Sequence, residues 1–144
     1  MKVKKTILVT WDFTEVSENA FLHALKMART VDNNIRLLHV VKEEGDLQKA
    51  EEKIKKDVSR LTSEHNFPVE YVLLKGKIFN QISQYTLEHE DIGIVCMGTH
   101  GIKGSQKYFG SYALKVIIGS PTPFVVVQHP PQNMNGFSNI VFPI

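Results

Sequence analysis

Apolar residues gather along the chain in five short runs, at 6–11, 35–41, 69–74, 92–97 and 124–128, each rich in β-branched side chains and each of strand length. Stretches such as Ile7-Leu8-Val9 and Phe124-Val125-Val126-Val127 are apolar without alternation. A strand with one wet face alternates, whereas a strand covered by helices on both faces does not, so these runs predict a parallel sheet. Between them the apolar spacing changes. The first intervening segment places Val16, Ala20, Ala24, Ala28 and Val31 on one stripe, and the second does the same with Leu47, Ala50, Ile54, Val58 and Leu61. These are helices turned toward a sheet. The second also pairs Glu51 with Lys55 and Glu52 with Lys56 at i,i+4, the mark of a solvated face. A third helix is predicted over 78–89 with Phe79, Ile82 and Tyr85 inward, and a fourth over 111–118, stopped by Ser120-Pro121-Thr122-Pro123.

Strands therefore alternate with helices throughout. With right-handed crossovers this pattern gives an α/β fold, an open, doubly wound parallel sheet whose ligand sits beyond the carboxyl ends of the strands at the switch point. Candidate chemistry belongs after the first and fourth strands. After Gln128 the pattern breaks into His129-Pro130-Pro131-Gln132-Asn133-Met134-Asn135-Gly136, which continues neither a strand nor a helix. Beyond it, Ser138-Asn139-Ile140-Val141-Phe142-Pro143-Ile144 is similar to Lys5-Thr6-Ile7-Leu8-Val9-Thr10-Trp11. The expected organisation is one domain over 1–129, a linker over 130–137, and at 138–144 either the start of a second repeat or a C-terminal strand.

Composition narrows the function classes. A chain of 144 residues, 42% hydrophobic and 22% charged, suffices for one domain with a real core. The 17 basic and 15 acidic residues are scattered, so a net charge of +2 forms no basic stripe and nucleic acid is not the expected partner. Met1-Lys2-Val3-Lys4-Lys5 has the positive start of a signal peptide, but the apolar stretch after it is too short for one; neither secretion nor a membrane span is expected. The single cysteine, Cys96, lies in an apolar run and reads as core filler, which together with the lack of a disulfide partner suits a cytoplasmic location. His23, His39, His65, His89, His100 and His129 show no metal-ligand spacing, and no nucleophile and base are matched, so no dedicated catalytic site and no protein-held metal are expected. His89-Glu90-Asp91 reads as the solvated end of the third helix.

One stretch carries chemistry. The fourth strand ends in Met97-Gly98-Thr99-His100-Gly101-Ile102-Lys103-Gly104, and Gly110-Ser111 opens the fourth helix. Glycines let a backbone approach an anion, and unpaired N–H groups at a helix start favour negative charge, so this is the composition of a phosphate cradle. A serine there can cap the helix or donate to a phosphate oxygen. Neither the dinucleotide fingerprint nor a P-loop occurs. At the end of the first strand, Asp12 can bind a ribose hydroxyl or hydrated Mg²⁺, or can help cap the first helix, a role open equally to Thr14.

Together, Asp12-Phe13-Thr14-Glu15 after the first strand, Leu38-His39-Val40 ending the second and Met97-Gly98-Thr99-His100-Gly101 ending the fourth resemble the universal stress protein family, and Gly110-Ser111-Tyr112-Ala113-Leu114-Lys115-Val116-Ile117 and Pro123-Phe124-Val125-Val126-Val127 match its last helix and strand. The resemblance implies a five-stranded sheet of order 3-2-1-4-5 of the adenine nucleotide alpha hydrolase-like type. It also implies a stress-response sensor or regulator that binds ATP, AMP or a related adenine nucleotide, with Mg²⁺ accompanying ATP and at most slow hydrolysis. Adenine is then expected against the backbone near Val40, ribose or metal (through water) at Asp12, and phosphates on Met97, Gly98, Gly101, Gly110 and Ser111, with Thr10 lining the floor. A homodimer, or a pseudo-dimer with a second repeat, is expected through the last strand, 124–128. The chain departs from the nucleotide-binding pattern in three places: eight residues rather than nine separate Gly101 from Gly110, Thr10 stands where a proline is usual, and Trp11 adds bulk expected beside the nucleotide. These departures motivate the alternative, an interaction module of the same fold that binds no nucleotide.

Overall fold

The structure, a computed structural model, describes residues 4–98, 115, 117 and 119–132. Its elements follow the order β1 (Thr6–Thr10), α1 (Glu15–Val31), β2 (Asn34–Val41), α2 (Leu47–His65), β3 (Val69–Lys75), α3 (Ile78–Glu88), β4 (Ile92–Gly98) and β5 (Phe124–Val127), with residues 115, 117 and 119 also helical. All four strand pairings are parallel and the order is β3-β2-β1-β4-β5. The sheet class and order expected from the sequence are thus observed, with strand ends within a residue of the predicted ones. Most of the predicted fourth helix lies outside the described residues.

Alternation of strand side chains across the sheet sorts the core into two layers. Ile7, Val9, Ile35, Leu37, Cys96 and Val125 meet α1 and α2 through Ala20, Phe21, Ala24, Ile54 and Leu61. Leu8, Leu38, Val95, Met97 and Phe124 face the other way, onto Phe79, Ile82 and Tyr85 of α3 and onto Ile117. Both faces being dry is the reason the strands lack alternation in sequence. Cys96 is fully buried, its thiol donates to the Ala20 carbonyl at 3.3 Å, and burial pushes its pKa up to about 12, which makes it a packing residue. Among the described residues no helix is long and apolar enough to cross a membrane.

Two expectations are corrected. Val31 is 56% exposed: it is the last residue of α1, and the chain reverses at once through Asp32 in the left-handed region (φ 55°), leaving no layer over the helix end. Asp91 is not simply solvated. Its carboxylate accepts from the Thr6 hydroxyl (3.0 Å) and from Arg36 (3.4 Å), which also donates to the Tyr85 hydroxyl (2.9 Å) and pairs with Glu70 (3.5 Å). This network ties β1, β2, β3 and α3 together at the amino end of the sheet, opposite the edge where a ligand is expected.

At the exit of β5, α1 holds the chain through one helical turn. Asn19 donates to the Gln128 carbonyl (3.1 Å) and His23 Nε2 to the His129 carbonyl (2.8 Å). The carbonyl can only accept, so Nε2 carries the proton, while Nδ1 is buried without a hydrogen-bond partner among the described residues. Protonation would bury a second N–H unsatisfied. Accordingly burial, with nearby Lys26 adding to it against the opposing His129 bond, holds the His23 pKa below 6.5. Because the folded value is depressed, the unfolded chain binds more protons; His23 contributes its stability fully above pH 6.5, and that contribution is lost as pH falls through the folded value. The urea midpoint should therefore fall between pH 7.5 and 5.5 by more in the parent chain than in His23→Gln, which keeps a donor but does not titrate; equal shifts would contradict this.

Candidate functional site

The strand order reverses between β1 and β4, so the crevice of a doubly wound sheet opens at their carboxyl ends. Thr10 closes β1, Met97 and Gly98 close β4, and Val40 stands one residue from the end of β2, the strand on β1's other side. Thr10 alternates with Val9 and Trp11 of the α1/α2 layer and so shares the opposite face with Val40 and Met97, both of which pack in the α3 layer.

The ladder makes Val40 chemically specific. Leu38 pairs with Thr10, and the Leu38 carbonyl accepts from the Trp11 N–H at 2.8 Å, whereas the Val41 carbonyl accepts from Gly76 on the β3 side at 2.9 Å. Backbone groups of alternate residues point to alternate neighbours, so the N–H and C=O of Val40 point toward β1 at a level where β1 has already ended. A donor beside an acceptor on an open strand edge matches the polar edge of adenine, which also carries one of each. The residues present therefore fit an adenine nucleotide, and the single carboxylate of Asp12 fits Mg²⁺ held mainly through water and phosphate, as this ion prefers.

Beyond Thr10, Asp12 is exposed and accepts from the N–H (3.2 Å) and hydroxyl of Thr14. Thr14, not Asp12, is the N-cap of α1: it exchanges hydrogen bonds with Ser17 in a capping box. Thr14→Ala should cost about 1 kcal/mol, read as a lower urea midpoint. With Thr14 capping it and Glu15 and Glu18 already in its first turn, the α1 terminus offers little to a further anion.

Gly98 has a packing reason to be glycine. A Cβ built there would lie 2.5 Å from Val16 Cγ1, 2.6 Å from the Val16 carbonyl oxygen and 2.9 Å from its carbonyl carbon, so the first turn of α1 rests directly on the end of β4. The remaining predicted phosphate contacts, Gly101, Gly110 and Ser111, lie outside the described residues, as does His100.

Trp11 corrects another expectation. Its side chain is 3% exposed and packs in the α1/α2 layer, with the indole N–H on Asp57 Oδ2 at 3.0 Å. Alternation sends it to the face opposite Thr10 and Val40, so its bulk does not compete for their space. Around it are contacts that local spacing does not show. The Trp11 carbonyl accepts from His39 Nδ1 (2.6 Å), the Phe13 ring meets His39 edge-on at 4.7 Å, and Lys53 Nζ lies 4.3 Å from the Phe13 centroid. Lys53 and Asp57 share an i,i+4 spacing on α2 that is visible in the sequence, but nothing there marks it as turned toward β1.

The model of the "Universal stress protein family" matches residues 4–128. A universal stress protein of Methanocaldococcus jannaschii is 27% identical over 142 residues, spanning 88% of this chain and 83% of the relative. Among solved structures, a universal stress protein from Archaeoglobus fulgidus in complex with dAMP superposes with a TM-score of 0.67 at 20% identity, over 89% of this chain and 100% of the other. A universal stress protein in complex with cAMP gives a TM-score of 0.67 at 15% identity, over 88% and 98%.

Proposed function

Because the chain belongs to the universal stress protein family, we propose that it is a stress-response sensor or regulator that binds ATP or a related adenine nucleotide at the carboxyl edge of β1, β2 and β4. The observation that carries this reading is the backbone of Val40, whose donor and acceptor face the crevice beyond the end of β1. Adenine lies against it, Thr10 and Met97 line the same face, and Asp12 takes the ribose hydroxyls or, through water, the Mg²⁺ that accompanies ATP. The phosphates lie along Gly98, Gly101, Gly110 and Ser111. The dAMP and cAMP complexes formed by proteins of the same fold support an adenine-containing ligand.

The work of such a module is binding, with at most slow hydrolysis of ATP. The cytoplasm is its proposed location, and its proposed assembly is a homodimer through β5, or a pseudo-dimer with a second repeat beginning at 138–144. The eight-residue spacing between Gly101 and Gly110 favours one rival, an interaction module of the same fold with no nucleotide. Calorimetric titration with Mg-ATP decides between them. At about 100 µM protein it detects dissociation constants up to roughly millimolar; saturable heat is expected, and its absence for both ATP and AMP leaves only the interaction module.

A further inference from the structure

We propose that Lys53 and Asp57 of α2, together with His39 of β2, are positioning residues that hold Asp12 in place by gripping the residues on either side of it. The proposal rests on the nucleotide reading above for the purpose of the grip, though not for its existence.

Asp12 is exposed, yet neither of its chain neighbours is free to move. Trp11 is held at three points: its N–H donates to Leu38, its carbonyl accepts from His39, and its indole N–H donates to Asp57. Phe13 sits at φ 66°, a region that a bulky aromatic residue occupies only when its surroundings impose it. What imposes it is visible. The ring is wedged against His39 and capped by the ammonium of Lys53, a cation over an aromatic face. Lys53 and Asp57 are one turn apart on α2, so a single stripe of that helix reaches both neighbours. The two peptide planes flanking Asp12 are shared with Trp11 and Phe13, so fixing those residues fixes the direction of the Asp12 Cα–Cβ bond, from which the Thr14 hydrogen bonds hold the carboxylate.

These residues do not belong to the ligand set. Trp11 and Phe13 pack in the α1/α2 layer, across the sheet from Val40 and Met97, so Lys53, Asp57 and His39 act on a nucleotide only through Asp12. Coupling of this kind is reciprocal: a ligand that immobilises Asp12 also tightens α2, whose outer face is exposed to solvent.

The test uses the full chain with four substitutions and two readouts, ATP affinity by calorimetry and amide exchange at residues 11–14 without nucleotide. Asp57→Leu should weaken ATP about 5- to 10-fold, the loss expected for one hydrogen bond, and should speed exchange at 11–14. Asp57→Asn, whose amide oxygen still accepts from the indole, should recover most of both losses. Lys53→Met should weaken ATP about 2- to 5-fold. Leu61→Val, a core change one turn further along α2, should lower Tm while leaving affinity and exchange at 11–14 as in the parent. Parent-like ATP affinity in Asp57→Leu, or an equal loss in Leu61→Val, overturns the proposal. If the parent chain takes no nucleotide, the nucleotide reading fails by itself and exchange alone decides the grip: faster exchange in Asp57→Leu supports it, and unchanged exchange overturns it.

Discussion

Trp11→Ala is expected to lower the stability of the fold by about 3–5 kcal/mol, the range for removing a large buried aromatic side chain. The residue is 3% exposed, lies in the core layer beneath α1 and α2, and is the only tryptophan in the chain. The loss has two parts. The cavity accounts for most of it, and the Asp57 carboxylate loses its indole donor while only a quarter of its side chain is in water. Trp11→Phe separates them: it keeps most of the ring volume and forfeits the hydrogen bond, for about 1–2 kcal/mol. Since whole domains are stable by only about 5–15 kcal/mol, Trp11→Ala consumes a large share and should show as a strongly reduced urea midpoint. A change below about 1 kcal/mol would mean that the indole is not packed as described.

Gly98→Ala is the second large effect. The added methyl must occupy a space where the Val16 carbonyl oxygen stands at 2.6 Å, and a backbone atom cannot rotate aside as a side-chain terminus can. Either the first turn of α1 lifts or the end of β4 bends, for about 1–3 kcal/mol of overpacking. Gly45→Ala is the matched control, since nothing lies within 4 Å of a Cβ built there, and it should be near neutral. The effect on Gly98 extends to ligand binding. Lifting α1 moves Thr14 and with it the hydrogen bonds that orient Asp12, so ATP affinity should fall in Gly98→Ala although no phosphate contact has been deleted. Equal stability of Gly98→Ala and the parent would remove the packing account of this glycine.

The legible parts of the fold were those governed by local period. Uninterrupted apolar runs marked strands buried on both faces, the 3–4 spacing marked helix stripes, and a strictly alternating βα order left few topologies to choose from; the observed β3-β2-β1-β4-β5 order is the one among them that the family resemblance implied. Helix stops at Asp32 and Asn66, both in the left-handed region, involve residue types that tolerate it. The site was legible only as positions along strands. Asp12, Val40 and Met97 could be placed at carboxyl ends, because topology sends strand ends to one edge.

What topology does not encode is which face a residue takes at the point where a strand stops being regular. Trp11 therefore read as an obstruction to the ligand, and only the three-dimensional path shows it turned to the other layer. Gly98 shows the same limit: the contact that demands glycine there is with Val16, far away in sequence and close in space. Asp91 and the pair Lys53 and Asp57 looked like solvated charge, since a partner on another element leaves no trace in local spacing. Asp12 gained a definite neighbour as well: Thr14 takes the cap, and Asp12 accepts from its N–H and hydroxyl.

The most direct test of the nucleotide site is a crystal structure of the chain grown with saturating Mg-ATP or AMP. The account predicts adenine hydrogen-bonded to the backbone N–H and C=O of Val40, ribose beside Asp12, and Trp11 still buried on Asp57 across the sheet. An empty crevice at saturating nucleotide, or a nucleotide bound elsewhere with the Val40 backbone left to solvent, would contradict it.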